Sequence, residues 1–310
     1  MCPSRPLLFK PDGPGRRITV KTVWIVSLTC CLLMACTVST FAEDAHGSRS
    51  WRQSAIWDDG NAEFATYEIS WQRYDRAYNG RAIIVLVKEP WAPDLQVKAD
   101  TPRPDGFEVF KFNHLRDVPT GVYTYHQAAT VFLRRDSGEL LKIAASSVEA
   151  CGISTAQMRD QVLETHSYFD TQGDRTVSWP NGAWPWAGLP AVLRDFVVGE
   201  PASTFNVFGT LMTSRFPELT DKSWKLTRHE PKRLSVPAGD YEGVAIELQH
   251  EDVSMTFVFD SVSPHTLLQY KDSRDSEYRL AKVERMPYWR MSKPGDEQWY
   301  PLHLRDGFTQ

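Results

Sequence analysis

The sequence predicts a mainly β (β-rich α+β) fold: a large, curved antiparallel sheet or half-barrel with one or two helices packed on it. Three observations carry this expectation. Apolar and polar residues alternate with period 2 in several runs bounded by turn-forming residues. Aromatic side chains are abundant, with 11 Trp, 11 Tyr and 15 Phe in 310 residues, and these favour pleated, half-buried surfaces. Strand-like runs do not alternate with long amphipathic segments, as a parallel α/β sheet would require.

Residues 1–42 stand apart from this pattern. Arg16, Arg17 and Lys21 precede an apolar run from Val23 to Ala35, VWIVSLTCCLLMA. The run is shorter than the roughly 20 residues that span a bilayer. Its order, basic then apolar then small and polar, is that of a secretory signal. Two cleavage positions compete. Thr40-Phe41-Ala42 offers small residues at −3 and −1 and gives a mature chain starting at Glu43. Leu33-Met34-Ala35-Cys36 resembles a bacterial lipobox, in which Cys36 is acylated and becomes the first residue; Met34 stands where a small residue is usual. Arg16-Arg17 also resembles a degraded twin-arginine signal, but the usual preceding Ser/Thr and the Phe are missing, so ordinary secretion fits better. The expected location is outside the cytoplasm, in the periplasm or lipid-anchored to the cell envelope.

The whole chain carries 35 basic and 39 acidic residues. Five basic residues and one acidic residue precede position 43, which leaves 30 against 38, a net charge of −8. A body this acidic is a poor match for nucleic acid or anionic lipid, so contact with a membrane is expected only through a lipid anchor. The cysteines are 2, 30, 31, 36 and 151. Processing leaves Cys151, joined by Cys36 only in the lipidated form, so no intrachain disulfide framework is expected.

Along the mature chain, residues 43–56 are small and polar and read as a flexible lead. A first β-rich half spans 57–180. Its strand signals are Glu63–Trp71, the β-branched run Arg81–Lys88 and, after a Pro-rich break, Phe107–Phe112. A hairpin follows: Gly121–Leu133 turns at Arg135-Asp-Ser-Gly138 and returns through Leu140–Ala145, with Gly138 suited to a positive φ. A shorter helical pattern covers Ser154 to Leu163. Residues 181–202 hold an aromatic segment and a helix, in which Leu189, Val192, Leu193, Phe196 and Val197 form a stripe opened by Pro190 and stopped by Gly199. A second β-rich half spans 203–290, where Ala238-Gly-Asp-Tyr241 echoes Thr120-Gly-Val-Tyr123. Residues 291–310 form a C-terminal tail.

Familiar catalytic and nucleotide-binding signatures are absent, and no pair among the eight His residues has metal-ligand spacing, so neither a metal nor a cofactor is expected. Cys151 is the one position suited to a nucleophile. Its thiolate would need a base or cation, which His126 or His114 could supply across the sheet. The other reading of Cys151 is a buried small hydrophobe. Asp170–Asp174 lacks the spacing and distal Glu of a cation loop and reads as a polar hairpin turn. Trp184 and Trp186, with Leu193 and Phe196 on the helix, either wall an apolar ligand site or pack the core.

Several stretches carry a resemblance: Tyr67-Glu68, Val97–Asp100, Val109–Asn113, Thr120–Tyr125, Ser147–Gly152 and Ser167–Phe169. Together they resemble a family of exported bacterial proteins of unknown activity, often lipoproteins, over most of residues 57–290. Ala150 stands where that pattern has Trp. The resemblance implies export and brings no catalytic residues. Val236–Tyr241, Ser263–His265 and the closing strand 278–283 are similar to half-barrels of the periplasmic lipoprotein-carrier type, which implies an apolar concavity for an acyl chain under a helical lid. The functional expectation is an exported cell-envelope protein that binds an acyl chain or apolar peptide in a concave sheet. A thiol enzyme using Cys151, or a purely structural envelope module, is the alternative.

Overall fold

The continuous apolar run Ala82-Ile-Ile-Val-Leu-Val87 explains the centre of the architecture. Alternate side chains of a strand point to opposite faces, so a run without polar interruption must be covered on both. Ala82, Ile84 and Leu86 enter the main core, while Ile83, Val85 and Val87 meet Ala62, Phe64 and Tyr288 on the opposite face.

The structure is a computed structural model that describes residues 51–199 and 202–296. The signal segment, both cleavage positions and Cys36 lie outside the described residues, as does the tail beyond 296. The strands are β1 (Ala62–Arg73), β2 (Arg76–Ala92), β3 (Val97–Lys98), β4 (Phe107–Pro119), β5 (Thr124–Arg134) and β6 (Leu140–Glu149). There follow β7 (Gly152–Arg159), β8 (Val162–His166), β9 (Asp174–Ser178), β10 (Trp184–Pro185), β11 (Thr204–Phe208) and β12 (Asp221–Arg228). The chain closes with β13 (Lys232–Val236), β14 (Gly239–His250), β15 (Val253–Asp260), β16 (Leu267–Asp272) and β17 (Glu277–Met286).

All belong to one sheet. The chain begins at its middle with β1, which pairs with β2 on one side and β17 on the other. From β2 it works outward through β4, β5, β6, β7 and β8 to β9 at one edge. It then crosses to the opposite edge, where β10 and β11 form a parallel pair, and returns antiparallel through β12, β14, β15 and β16 to β17. β13 shares one side of β14 with β12.

The expected curved sheet or half-barrel is not what forms. The sheet is neither closed nor strongly curled, and no register joins β9 to β10. Tight curvature needs repeated bulges or glycine kinks. Here long strands run with register shifts only at Thr66/Tyr67, Phe132/Leu133 and Val258/Phe259 among the described pairs.

Two further expectations are corrected. The helical pattern at 154–163 is the hairpin β7–β8. Ser154, Ala156 and Met158 are buried with period 2, and the turn at Asp160 and Gln161 has both φ values positive, at 52° and 60°. The segment 51–56, expected in a flexible lead, is docked: Trp51 and Trp57 are 3% and 1% exposed, and Trp57 Nε1 donates to the Trp51 carbonyl at 2.9 Å. The expected 189–198 helix forms as a short α1 (Leu189–Val192) flanked by 3-10 turns, with Gly199 beyond it at φ +86°. Leu189, Leu193 and Val197 are buried in the main core.

α1 is followed by Arg194, whose guanidinium is buried against the Glu63 carboxylate of β1. Nη2 donates to Oε1 at 2.6 Å and Nη1 to Oε2 at 3.2 Å, while Thr266 donates to the same carboxylate at 3.0 Å. A buried charge is tolerable only when paired and hydrogen-bonded in this way, so the pair pins the crossover to the middle of the sheet.

Candidate functional site

In β4 the inward positions are Phe110, Phe112, His114, Arg116 and Val118, all buried. Two polar residues thus occupy the apolar phase of an otherwise regular strand. The same phase holds Gln127 in β5, Ser147 in β6 and Ser154 in β7. These four are successive register partners: Arg116 opposite Gln127, Gln127 opposite Ser147, and Ser147 opposite Ser154. Directly opposed side chains interact, and here they form a polar row across four strands. Arg116 Nε donates to Gln127 Oε1 at 2.9 Å, and Gln127 Nε2 donates to the Ser147 hydroxyl at 3.0 Å. Ser147 meets the Ser214 hydroxyl at 3.1 Å, and Ser154 donates to the Ser214 carbonyl at 2.8 Å.

Arg116 ends this row at a pocket of about 350 Å³. Its walls include Trp71, Trp186, Trp224, Met255, Tyr270 and Tyr278, and residues of the 209–213 loop close one side. The volume falls at the small end of ligand-site sizes, and the lining mixes aromatic surface with polar and charged side chains. Polar contacts fix the walls. Trp186 Nε1 donates to the Tyr270 hydroxyl at 3.2 Å, which donates to Asp272 Oδ2 at 3.1 Å. Asp272 Oδ1 accepts from the amides of Arg274 and Ser276 at 2.9 and 3.0 Å. Burial raises the Tyr270 and Tyr278 pKa values above the usual phenol range, so both hydroxyls keep their protons.

Two guanidinium groups lie against the Trp71 ring. Arg116 lies 4.7 Å from its ring centroid and Arg73 5.0 Å. Arg73 Nε donates to the Tyr125 hydroxyl at 3.2 Å, and Arg116 Nη1 to the Tyr278 hydroxyl at 3.3 Å. Behind them the His114 ring packs tilted on Trp186 at 5.4 Å and edge-on to Tyr278 at 5.6 Å. Burial first, then the charge of Arg116, lowers its pKa to about 3, so it stays neutral. The Ala187 carbonyl faces its ring and only partly offsets these effects.

Of the residues expected to line a ligand site, Trp186 lies in this wall. Trp184 and Leu193 are buried in the main core, and Phe196 packs on Phe205 at 5.8 Å. Cys151 is exposed in the turn between β6 and β7, not buried as a small hydrophobe. His126 is not brought to it. The register partner of His126 is Val148, inside β6, whereas Cys151 lies beyond the end of that strand in the turn. The imidazole Nδ1 instead meets Asp117 at 2.7 Å.

The Ser147–Gly152 and Ser167–Phe169 stretches come together for a structural reason. Tyr168 donates to Glu149 at 3.0 Å, and its ring covers Gly152 so closely that a Cβ there would sit 2.8 Å from the ring. The segment that follows then holds the pocket loop: Gln172 Nε2 donates to the Phe216 carbonyl at 2.7 Å, and its oxygen accepts from the Phe216 amide at 3.1 Å.

Sequence reasoning missed Trp71, Arg73, Arg116, Trp224, Tyr270 and Tyr278 as pocket walls. The signal that could have found Arg116 is its phase: it sits on the inward side of β4 between His114 and Val118. Among the described residues no group of His, Cys, Asp and Glu could hold a metal ion, and no helix is long and apolar enough to cross a membrane. No family model matches the chain, and no curated protein matches it.

Proposed function

We propose that the protein is an exported binding protein of the cell envelope that holds a ligand with apolar surface in the pocket walled by Trp71, Trp186 and Trp224. The observation that carries this reading is the pocket itself, about 350 Å³ of space bounded by three tryptophans and braced by Tyr270 and Asp272. Large aromatic faces lining an open cleft favour a small molecule as its occupant. The basic, apolar and then small-polar order of residues 1–42 supports export. The resemblance to exported lipoproteins agrees with export.

A thiol enzyme is less well supported, because Cys151 sits on a surface turn with His126 engaged by Asp117. A purely structural module leaves the pocket without a use.

The test is a fluorescence titration. A saturable shift in tryptophan emission on adding a monomeric amphiphile below its micelle concentration is expected. The shift should shrink in Trp224→Phe and Trp186→Phe and persist in Trp57→Phe, whose ring lies in the core outside the pocket lining. Unchanged emission across short-chain amphiphiles of every headgroup would overturn the reading.

A further inference from the structure

We propose that the pocket is selective for an amphiphile with a single anionic headgroup, a carboxylate or phosphate monoester, held by Arg116 and Arg73, with its apolar part against Trp224 and Met255. This deepens the binding-protein reading and rests on it.

Among the pocket-lining residues the charged side chains are Arg73, Arg116 and Arg274 against Asp272 alone, three cations to one anion. The sign is opposite to that of the chain after residue 42, where 30 basic residues face 38 acidic ones. A locally positive cleft in an acidic body is a focused field and not a reflection of net charge. Asp272 does not neutralise it by contact, since its oxygens are taken by Tyr270 and by the amides of Arg274 and Ser276.

The second point is burial. Arg116 is only 7% exposed, yet its hydrogen-bond partners are neutral: the Gln127 amide oxygen and the Tyr278 hydroxyl. A buried guanidinium normally sits against a carboxylate, as Arg194 does against Glu63 in this same molecule. Gln127 takes the Nε–H and one Nη2–H, and Tyr278 takes one Nη1–H. Of the five donors a guanidinium has, one on each terminal nitrogen is left, the number a carboxylate or phosphate accepts side by side. Gln127 is itself held by Ser147, so the polar row fixes the plane of the guanidinium before any ligand arrives.

A third, independent donor belongs to the same lining. Trp224 is 8% exposed and its Nε1–H has no acceptor among the described residues. A buried donor without an acceptor, beside the spare hydrogens of Arg116, calls for an acceptor-rich group in the pocket. Trp71, Trp224 and Met255 supply the apolar surface beside these donors, so the ligand needs both an anion and an apolar part.

The experiment is calorimetric titration of the purified, processed full chain with four probes: dodecanoate and dodecyl phosphate below their micelle concentrations, dodecanol below its solubility limit, and inorganic phosphate. Dodecanoate or dodecyl phosphate is expected to bind roughly tenfold or more tighter than dodecanol, the scale of a charge-assisted hydrogen bond. The tighter of the two anions identifies the headgroup. Arg116→Gln and Arg73→Gln should each erode that preference while dodecanol binding is kept; Arg73 is half-buried, so its variant remains informative if the Arg116 variant fails to fold. Dodecanol binding as tightly as both anions, with Arg73→Gln without effect, would overturn the anion selectivity and leave the binding-protein reading standing. Inorganic phosphate binding as tightly as dodecyl phosphate would overturn the amphiphile class. Failure of all four probes to bind would remove the parent reading itself.

Discussion

Arg194 and Glu63 meet through two parallel hydrogen bonds of 2.6 and 3.2 Å in the buried interior, 131 positions apart in sequence. The pair joins the crossover after α1 to the central strand β1. Removing one partner leaves the other charge buried and unpaired. Arg194→Met is therefore expected to cost about 3–5 kcal/mol in denaturant unfolding, and Glu63→Gln with Arg194→Met together distinctly less. A loss below about 1 kcal/mol in the single variant would mean that the carboxylate finds water.

The pH dependence of stability should carry the mark of His114. Its pKa is about 3 in the fold against 6.5 unfolded, so the unfolded chain takes up the proton first as pH falls. The stability that goes with its neutral form is complete above pH 6.5 and declines by about 1.4 kcal/mol per unit as pH drops toward 3. The groups that face it are Arg116, which strengthens the effect, the Ala187 carbonyl, which opposes it, and the hydroxyls of Tyr270 and Tyr278 in the shared recess. His265, also lowered by burial, acts in the same direction. Carboxylates such as Glu108, whose pKa is held below the usual range by Lys88 and Arg135 in spite of burial, lose their pairing only in stronger acid. His114→Leu should therefore flatten unfolding free energy between pH 6.5 and 4.5, whereas an unchanged slope would place the titration elsewhere.

The strands were legible where one face is buried and one is wet. The hairpin of β5 and β6, its turn at Arg135–Gly138 and the stop at Gly199 all follow from residue type and period. The β7–β8 hairpin was not, because Ser154, Ala156 and Met158 are small or flexible residues that suit a helix equally well. The docked start was hidden by polar neighbours, although Trp51 and Trp57 were the clue: two indoles in seven residues are costly to leave in water. The open shape of the sheet depends on where bulges fall, which alternation does not report. The pocket was least legible of all. Its walls come from β1, β4, β12, β15, β16 and β17, and only the register brings Arg116, Trp71 and Tyr270 to one place. Arg116 still left a trace, as a charge on the inward phase of β4.

Cys151 should behave as a surface thiol. A bulky maleimide is expected to label it in the folded protein at a rate close to that of an unstructured peptide thiol, because the side chain is exposed in the β6–β7 turn. Cys151→Ser should leave stability within about 0.5 kcal/mol, as surface substitutions usually do. Slow labelling that becomes fast only on unfolding would contradict the exposed placement.

Processing can be followed on the intact precursor. The chain expressed with residues 1–42 should appear shortened and outside the cytoplasm. Cys36→Ser separates the routes: if it blocks processing and the wild type takes up labelled fatty acid, the lipobox is used, and if it changes neither, cleavage follows Ala42. Full-length precursor held in the cytoplasm would refute export.

Native mass spectrometry of the protein purified from its own envelope tests the pocket most directly. The account predicts a bound small molecule that dissociates on activation and carries an acidic group on an apolar body. It also predicts that the molecule is lost from Val253→Trp, in which a bulky ring stands at the pocket rim, while the fold is kept. A single ligand-free mass for the wild type, with no amphiphile restoring a complex, would contradict the account; so would an adduct retained unchanged in Val253→Trp.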